Sequence, residues 1–255
     1  MIDLSVDPAL VVGPLRTTWH ALLLTVGVLV GTTTGVLLGA RRVTVDDAWL
    51  VALAGAAGGL LGGRLFHVID YWSEYARDPA RIFQLQQGAS VIGGLIVGSA
   101  AGVAVAFLRR PREWRYLVDC AAVGIPFGMG VGRIGDLING EHWSIACSGL
   151  PWCVRYTHPN TAGQREFVHP AVGYELVGDL VIGLIAIRLF ARGGAGEGRI
   201  FAVWLALYGA MRFAVNFLRI DAPISGLGLT QAQWLALGFV AAGLLVLLRR
   251  PAAAR

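Results

Sequence analysis

The residues best suited to chemistry lie in one short stretch, Gly132 to Trp143. Arg133, Asp136, Asn139 and Glu141 place a cation, two carboxylates and an amide close together along the chain. The glycines of this stretch let the backbone turn sharply or approach a ligand. Two interpretations stay open at this point: the polar end of a helix that leaves a membrane, or a ligand-binding site.

Three arginines stand inside long apolar segments: Arg64, Arg133 and Arg212. An arginine at mid-membrane costs at least ~2.5 to 3.5 kcal/mol, so each should face an anion in a protein interior or an aqueous cavity. One interpretation pairs them with acids of the same bundle, for which the candidates are Asp70, Asp136 and Glu175. The other is an anionic ligand such as a phospholipid headgroup, because guanidinium binds phosphate oxygens in a bidentate way.

The composition predicts that these residues are carried by an integral membrane protein. Of 255 residues, 56% are hydrophobic and only 15% are charged, and the mean hydropathy is +0.64. All 21 basic residues are arginine. They stand at the ends of apolar runs or inside them, and not on a solvated face with interleaved aromatics, which excludes a nucleic-acid partner.

Seven apolar segments are long enough to cross a bilayer as helices, which takes about 20 residues. Three of them contain no charged residue: Ala21 to Ala40, Gly88 to Leu108 and Leu227 to Leu248. Four carry charged residues: Ala48 to Trp72, Tyr116 to Leu137, His169 to Leu189 and Arg199 to Leu218. We therefore predict one all-α integral membrane domain, residues 1–255, with about seven transmembrane helices.

The arginines of the connecting segments predict the orientation. Twelve of the 21 arginines follow the first, third, fifth and seventh spans, and by the positive-inside rule that side is cytoplasmic. The N-terminus is then outside and the C-terminus inside. Residues 138–168 become an extracytoplasmic insertion between the fourth and fifth transmembrane helices.

The insertion contains two cysteines, Cys147 and Cys153, six positions apart with a glycine and a proline between them. Outside the cytoplasm such a pair can close a small disulfide loop. The competing interpretation is a zinc site, which would need two further ligands, and neither His142 nor His158 has a zinc-finger spacing. We expect the disulfide and no metal.

The predicted topology brings several polar side chains to the outer half of the bundle, at one depth: His20, Arg64, Arg133, Asp136 and Arg212. This grouping favours an anionic lipid as ligand. His20 has a simpler alternative, since a histidine beside Trp19 near the interface can act as an amphipathic anchor. Tyr208 lies one helical turn from Arg212 on the same face, which favours a functional role.

The stretch Gly132 to Glu141 resembles the signature of the prolipoprotein diacylglyceryl transferase family, Gly-Arg-Ile-Gly-Asn-Phe-x-Asn-Gly-Glu. Other motifs of that family have counterparts here in the same order: Gly62-Gly63-Arg64-Leu65, Gly93-Gly94-Leu95-Ile96, His169-Pro170 with Tyr174-Glu175, Tyr208-Gly209-x-x-Arg212-Phe213 with Arg219, and Thr230-Gln231. The resemblance spans nearly the whole chain.

The resemblance implies transfer of the diacylglyceryl group of phosphatidylglycerol to the lipobox cysteine of preprolipoproteins, in the bacterial cell membrane and without a cofactor. A thiolate would displace glycerol 1-phosphate. Arg133 and Arg212 would hold the phosphate. Further site residues would orient or bind the substrate: Arg64, Gly93, Gly94, Asn139, Gly140, Glu141 and Tyr208.

The chain departs from the family pattern at the expected site. Ile92 stands where the family has a histidine, Asp136 where it has asparagine, and His20 where it has tyrosine. Further departures are Trp143-Ser144 for an aromatic followed by glycine, and Asn216 for glutamate.

Three accounts of the departures stay open. In the first, which we favour, the enzyme is active and another base serves, the candidates being Asp136, His20 and, less directly, His142. In the second, the chain is an altered paralogue that binds an anionic phospholipid. A small transporter is the third account, but we find no inverted repeat.

Overall fold

The protein is a bundle of helices with short strands at its edges. The computed structural model describes residues 1–13, 15–83, 88–222 and 224–248. The described helices are, in chain order, α1 (Trp19–Gly39), α2 (Val45–Asp70), α3 (Trp72–Tyr75), α4 (Val91–Arg109), α5 (Trp114–Asn139), α6 (Ala171–Ala191), α7 (Arg199–Val215) and α8 (Gln231–Leu248). All except the four-residue α3 have 17 residues or more.

Length and composition make this a multi-pass membrane protein. Within the described residues, six helices are long and apolar enough to cross a membrane, the one that begins with α7 running on to Leu218. Helix α6 is 21 residues long and on average as apolar as several of these six, but it is not among them because it carries three charged residues, Glu175, Asp179 and Arg188. Two of these residues, Glu175 and Asp179, belong to the candidate active site.

The predicted spans overlap the long helices, and six of the seven agree at both ends to within three residues. The exception is the last span, which was predicted to start at Leu227, whereas α8 starts at Gln231. The residues before it form a small hairpin of β5 (Ile224–Gly226) and β6 (Leu229–Thr230). Thr230 then caps α8, its hydroxyl accepting the Gln233 N–H at 3.2 Å. Apolar character alone did not distinguish this hairpin from a helix.

Short strands add a β component that the all-α prediction omitted. The chain begins with β1 (Ile2–Leu4) and the hairpin of β2 (Ala9–Val12) and β3 (Leu15–Thr18). β1 pairs in parallel with β4 (Val154–Tyr156). None of these strands exceeds four residues, which is too short for a clear alternating pattern.

Residues 140–170, the α5–α6 segment, correspond to the predicted insertion. Cys147 and Cys153 are joined in a disulfide there, with their Cα atoms 5.7 Å apart. Gln164 makes two hydrogen bonds to the backbone of Ser144, at 2.7 and 3.0 Å. These contacts stabilise the segment, and the Ala162 N–H donates to the Asn139 carbonyl at 3.0 Å, which connects the segment to the end of α5.

Helix α5 is the centre of the bundle and positions the site. It packs against α1, α4, α6 and α7. A Cβ atom at Gly135 would lie 2.7 Å from Cα of His20, so only glycine lets α1 pack this closely against α5. Nearer its start, α5 contributes the buried Asp119, whose carboxylate accepts the N–H of Phe201 at 3.0 Å. Asp119 thus anchors the first turn of α7 on α5.

Candidate active site

Four buried charged side chains from α5, α6 and α7 form one ion network: Arg133, Asp136, Glu175 and Arg212. Arg133 Nη1 donates to Asp136 Oδ2 at 2.8 Å, and Arg133 Nη2 lies 2.9 Å from Glu175 Oε2. Glu175 Oε1 pairs with Arg212 Nη1. No side chain of the network is more than 9% exposed. The network therefore connects three helices through charged side chains, each of which would be costly to bury in the bilayer without a partner.

His20 extends the network towards the surface. Its Nδ1 lies 2.6 Å from Asp136 Oδ1, and its side chain is 31% exposed, whereas that of Asp136 is 9% exposed. Asp136 therefore bridges the imidazole of His20 and the guanidinium of Arg133. The structure brings together four of the five side chains that were predicted to share one depth.

A further carboxylate, that of Glu141, lies near His20 just after the end of α5. Glu141 Oε1 accepts from Asn139 Nδ2 at 2.6 Å and lies 3.9 Å from His20 Nδ1. Gly140 ends the helix with φ of +78°, and a Cβ atom there would lie 2.5 Å from the Gly163 nitrogen. Glycine is required at this turn, which directs Glu141 back to the network.

Three possible metal ligands meet here, since one atom each of His20, Asp136 and Glu141 lies within 4.8 Å of the others. Their oxygens already serve cationic or amide donors: Arg133 on Asp136, and Asn139 on Glu141. We assign these residues to the ion network and not to a metal site.

Helices α6 and α7 and the turn after α7 carry buried polar atoms without hydrogen-bond partners among the described residues: Asp179 Oδ1 and Oδ2, Trp204 Nε1, Tyr208 Oη, Arg212 Nε and, in the turn, Asn216 Oδ1. Arg133 lies within electrostatic range of both Asp179 and Tyr208. The rings of Trp204 and Tyr208 stack with centroids 5.7 Å apart. An unpaired buried polar group costs about 1–3 kcal/mol, so these donors and acceptors favour a polar ligand.

Arg64 does not join this network, contrary to the expectation that the three intramembrane arginines converge. It donates to three backbone carbonyls, from Nε to Ile82 at 2.8 Å, from Nη1 to Gly88 at 3.0 Å and from Nη2 to Arg81 at 2.5 Å. Its guanidinium also lies 5.0 Å from the Tyr75 ring centroid. Backbone oxygens satisfy this buried cation, which therefore needs no carboxylate partner.

Gly93 and Gly94 lie where α4 packs against α2. A Cβ atom at Gly93 would lie 2.5 Å from the Gly62 carbonyl oxygen, and one at Gly94 would lie 3.1 Å from that of Gly59. Ile92 precedes them in the first turn of α4. The glycine pair thus allows the two helices to approach each other.

A second charged cluster lies just beyond the end of α5. Arg219 Nη2 lies 2.8 Å from His142 Nδ1, and the Arg219 guanidinium donates twice to Asp221, at 3.0 and 2.9 Å. Burial lowers the pKa of His142 below its ordinary value, and Arg219 lowers it further, while the hydrogen bond to Asp221 opposes them. His142 is therefore held neutral and positioned by the cluster.

Glu175 is both a candidate acid partner of the arginines and part of the Tyr174-Glu175 motif, whereas the sequence motifs do not identify Asp179 or Trp204. Glu175 and Asp179 stand four residues apart in an apolar helix, which places both carboxylates on one helix face. That spacing was the available signal. Trp204 gave none, because tryptophan is common in membrane helices.

Comparisons with known proteins show the family of the chain. A family model described as prolipoprotein diacylglyceryl transferase matches residues 8–249. Three relatives are named phosphatidylglycerol–prolipoprotein diacylglyceryl transferase. The one from Verminephrobacter eiseniae is 34% identical, with 98% of this chain and 96% of the relative covered. The one from Nostoc sp. is 33% identical, with 94% of this chain and 88% of the relative covered. The one from Cupriavidus necator is also 33% identical, with 96% of this chain and 92% of the relative covered. The chain belongs to the prolipoprotein diacylglyceryl transferase family.

Proposed function

We propose that this protein transfers the diacylglyceryl group of phosphatidylglycerol to the thiol of a lipobox cysteine in a preprolipoprotein. Its relatives are named for that activity. In the reaction a sulfur–carbon bond forms at the glyceryl carbon and the carbon–oxygen bond to phosphate breaks. The leaving group is glycerol 1-phosphate, which gains a negative charge as it departs.

The observation that carries the proposal is the pair of buried guanidinium groups, Arg133 and Arg212, on either side of Glu175. Arg212 Nε is buried and has no hydrogen-bond partner among the described residues. Arg133 also keeps N–H groups beyond the two that face Asp136 and Glu175, because a guanidinium has five. These donors suit phosphate oxygens, and two fixed cations would stabilise the charge that develops on the leaving group.

Other polar groups suit the remainder of the headgroup. The Tyr208 hydroxyl and the Asp179 carboxylate are unpartnered in the described chain and lie near Arg133, where they could bind the hydroxyls of a glycerol. Asn139 and Glu141, at the end of α5, orient the headgroup from the exposed side. Arg64, Gly93 and Gly94 support the site indirectly, through the packing of α2 and α4.

The proposal includes a topology. Helix α6 would cross the membrane as the fifth of seven spans, since its buried carboxylate Glu175 pairs with Arg133 and Arg212 inside the bundle. The N-terminus would be outside and the C-terminus inside. The arginines of that C-terminus, Arg249, Arg250 and Arg255, lie outside the described residues. The disulfide of the α5–α6 segment supports an extracytoplasmic location, because disulfides persist there.

The experiment is to incubate the purified protein with phosphatidylglycerol and a lipobox peptide and to detect the diacylglyceryl adduct by mass spectrometry. We expect an adduct with the wild type and none with Arg133→Ala or Arg212→Ala. Arg155→Ala is the matched control, because this arginine pairs with Asp3 on the surface of the fold. It should keep full activity.

The altered-paralogue account predicts a different result, since Ile92 cannot accept a proton. In that case the wild type would bind phosphatidylglycerol micelles but form no adduct. Lipid binding that survives in both Arg133→Ala and Arg212→Ala would refute the assignment of the phosphate site under either account.

A further inference from the structure

The transfer requires a base, because a free thiol with a pKa of about 8.5 is only slightly ionised near neutral pH. Three titratable side chains near the exposed edge of the ion network could accept the thiol proton: His20, Asp136 and Glu141. Their hydrogen bonds distinguish between them. The inference that follows rests on the proposed transferase function.

Asp136 is poorly placed to accept a proton from substrate. Its Oδ1 faces His20 Nδ1 at 2.6 Å, and its Oδ2 accepts from Arg133 at 2.8 Å. Both oxygens are thus engaged, and the residue is 7% exposed. Glu141 is more open, but its Oε1 already accepts from Asn139 Nδ2 at 2.6 Å, and a carboxylate is a weaker base for a thiol than an imidazole.

His20 has one ring nitrogen engaged and one available. An ionised carboxylate only accepts hydrogen bonds, so Nδ1, facing Asp136, must carry the ring proton. Nε2 then holds the lone pair, and it makes no hydrogen bond within the described residues. The side chain is 31% exposed, which leaves this nitrogen accessible to a substrate thiol.

The fold fixes His20 in place. It stands in the first turn of α1, where the Thr18 hydroxyl caps the helix by accepting the Ala21 N–H at 3.1 Å. Gly135 lets the α1 backbone lie directly on α5. The imidazole is therefore positioned by packing as well as by its hydrogen bond to Asp136.

We propose that His20 Nε2 removes the proton from the lipobox cysteine thiol, with Asp136 as the positioning residue that holds the required tautomer. The thiolate then attacks the glyceryl carbon, the sulfur–carbon bond forms, and the electron pair of the broken carbon–oxygen bond leaves on glycerol 1-phosphate. The imidazolium passes its proton to water. His20 thereby supplies from α1 the base that Ile92, at the start of α4, cannot supply.

Asp136 connects the two ends of the reaction. One oxygen holds the base and the other holds Arg133, which binds the phosphate in the proposed function. The charged groups that face His20 are Asp136 and Arg133 from α5 and Glu141 from the α5–α6 segment. Protonation of His20 at low pH removes the acceptor nitrogen, so transfer should decline on the acidic side.

The test compares adduct formation by the wild type and His20→Asn at a series of pH values, with phosphatidylglycerol in detergent micelles and a lipobox peptide. Asparagine keeps a donor near Asp136 but has no basic nitrogen. We expect kcat to fall by about 100-fold or more, while the affinity for phosphatidylglycerol micelles stays within twofold. The acidic limb of the wild type should be replaced by one at higher pH, because the residual rate then rises with pH until the thiol ionises unaided, near its ordinary pKa of about 8.5.

The matched control is His158→Gln. His158 is also a histidine near an aspartate, with Nδ1 3.8 Å from Asp7, but it lies in the α5–α6 segment away from the ion network. It should retain the wild-type rate and profile. His20→Gln serves as a second variant in case His20→Asn does not fold.

The outcomes separate the two proposals. No adduct with the wild type refutes the transferase function itself. An active wild type with a His20→Asn variant that keeps kcat and the acidic limb overturns the role of His20. Loss of micelle binding in proportion to kcat in both variants also overturns it, because His20 would then be structural.

Discussion

Replacing Glu175 by glutamine tests the ion network most directly. Glu175 is 1% exposed and faces Arg133 with one carboxylate oxygen and Arg212 with the other. Glutamine keeps the shape but removes the charge, so Arg212 is left without a carboxylate partner among the described residues. Breaking a buried ion pair by neutralising one partner costs about 3–5 kcal/mol. We expect the lower value, about 3 kcal/mol, because the amide oxygen of glutamine can still accept one N–H.

For a chain of this size each kcal/mol lowers Tm by about 2–4 °C, so Glu175→Gln should unfold about 6–12 °C below the wild type. The assay is thermal unfolding in detergent, followed by intrinsic tryptophan fluorescence. Phosphatidylglycerol should raise Tm more in the variant than in the wild type, because its phosphate replaces the lost negative charge. Phosphatidylcholine micelles provide the lipid control.

Glu166→Gln is the protein control, since Glu166 is an exposed carboxylate of the α5–α6 segment. A surface substitution of this kind should change the unfolding free energy by no more than about 0.5 kcal/mol. If Glu175→Gln unfolds at the wild-type temperature, Glu175 does not stabilise the ion network and the prediction is refuted. It is also refuted if phosphatidylglycerol stabilises both proteins equally, because the phosphate would then not bind where Glu175 balances the arginines.

Three further predictions follow from single contacts. Arg64→Lys should lower stability by about 2 kcal/mol, because lysine cannot reach all three carbonyls, and should leave KM for phosphatidylglycerol unchanged; an altered KM at wild-type Tm would contradict the structural role of Arg64. The pKa of His142 is lowered in the folded state, so the unfolded chain takes up the proton first and Tm should fall as pH drops below about 6.5. In His142→Asn, which tolerates the positive φ of 69° at this position, the decline between pH 7 and pH 5 should be smaller, and an identical decline would show that His142 does not cause it. Gly140→Ala should destabilise the end of α5 by about 2 kcal/mol or more, since its Cβ atom would meet Gly163; adduct formation and Tm should fall together, and normal values of both would contradict the observed turn.

The helices could be predicted because their cause is local. A run of about 20 apolar residues can satisfy its backbone in a bilayer only as a helix, and the predicted spans accordingly match the long helices. The start of α8 was misplaced because Leu227 to Thr230 are as apolar as the helix that follows. The turn before it depends on backbone angles, including φ of 49° at Leu227, that hydropathy does not encode.

The candidate site was predictable in its residues but not in its pairings. An arginine in an apolar segment needs a partner, which identified Arg64, Arg133 and Arg212 from the sequence. The type of partner was not determined, and the structure gives carboxylates to Arg133 and Arg212 but backbone carbonyls to Arg64. Both solutions supply the hydrogen-bond acceptors that a buried guanidinium needs, so the sequence did not distinguish between them.

Local sequence patterns therefore predict a helical membrane protein and the charges that must be buried, and they show that Ile92, which cannot accept a proton, stands where the family has a histidine. The packing of the helices is what brings His20 of α1 against Asp136 of α5 and places Glu175 of α6 between Arg133 and Arg212. The difference arises from how far apart along the chain the interacting residues lie. Hydropathy and helix periodicity act between residues near in sequence, whereas these contacts join residues up to 116 positions apart and exist only once the helices have packed.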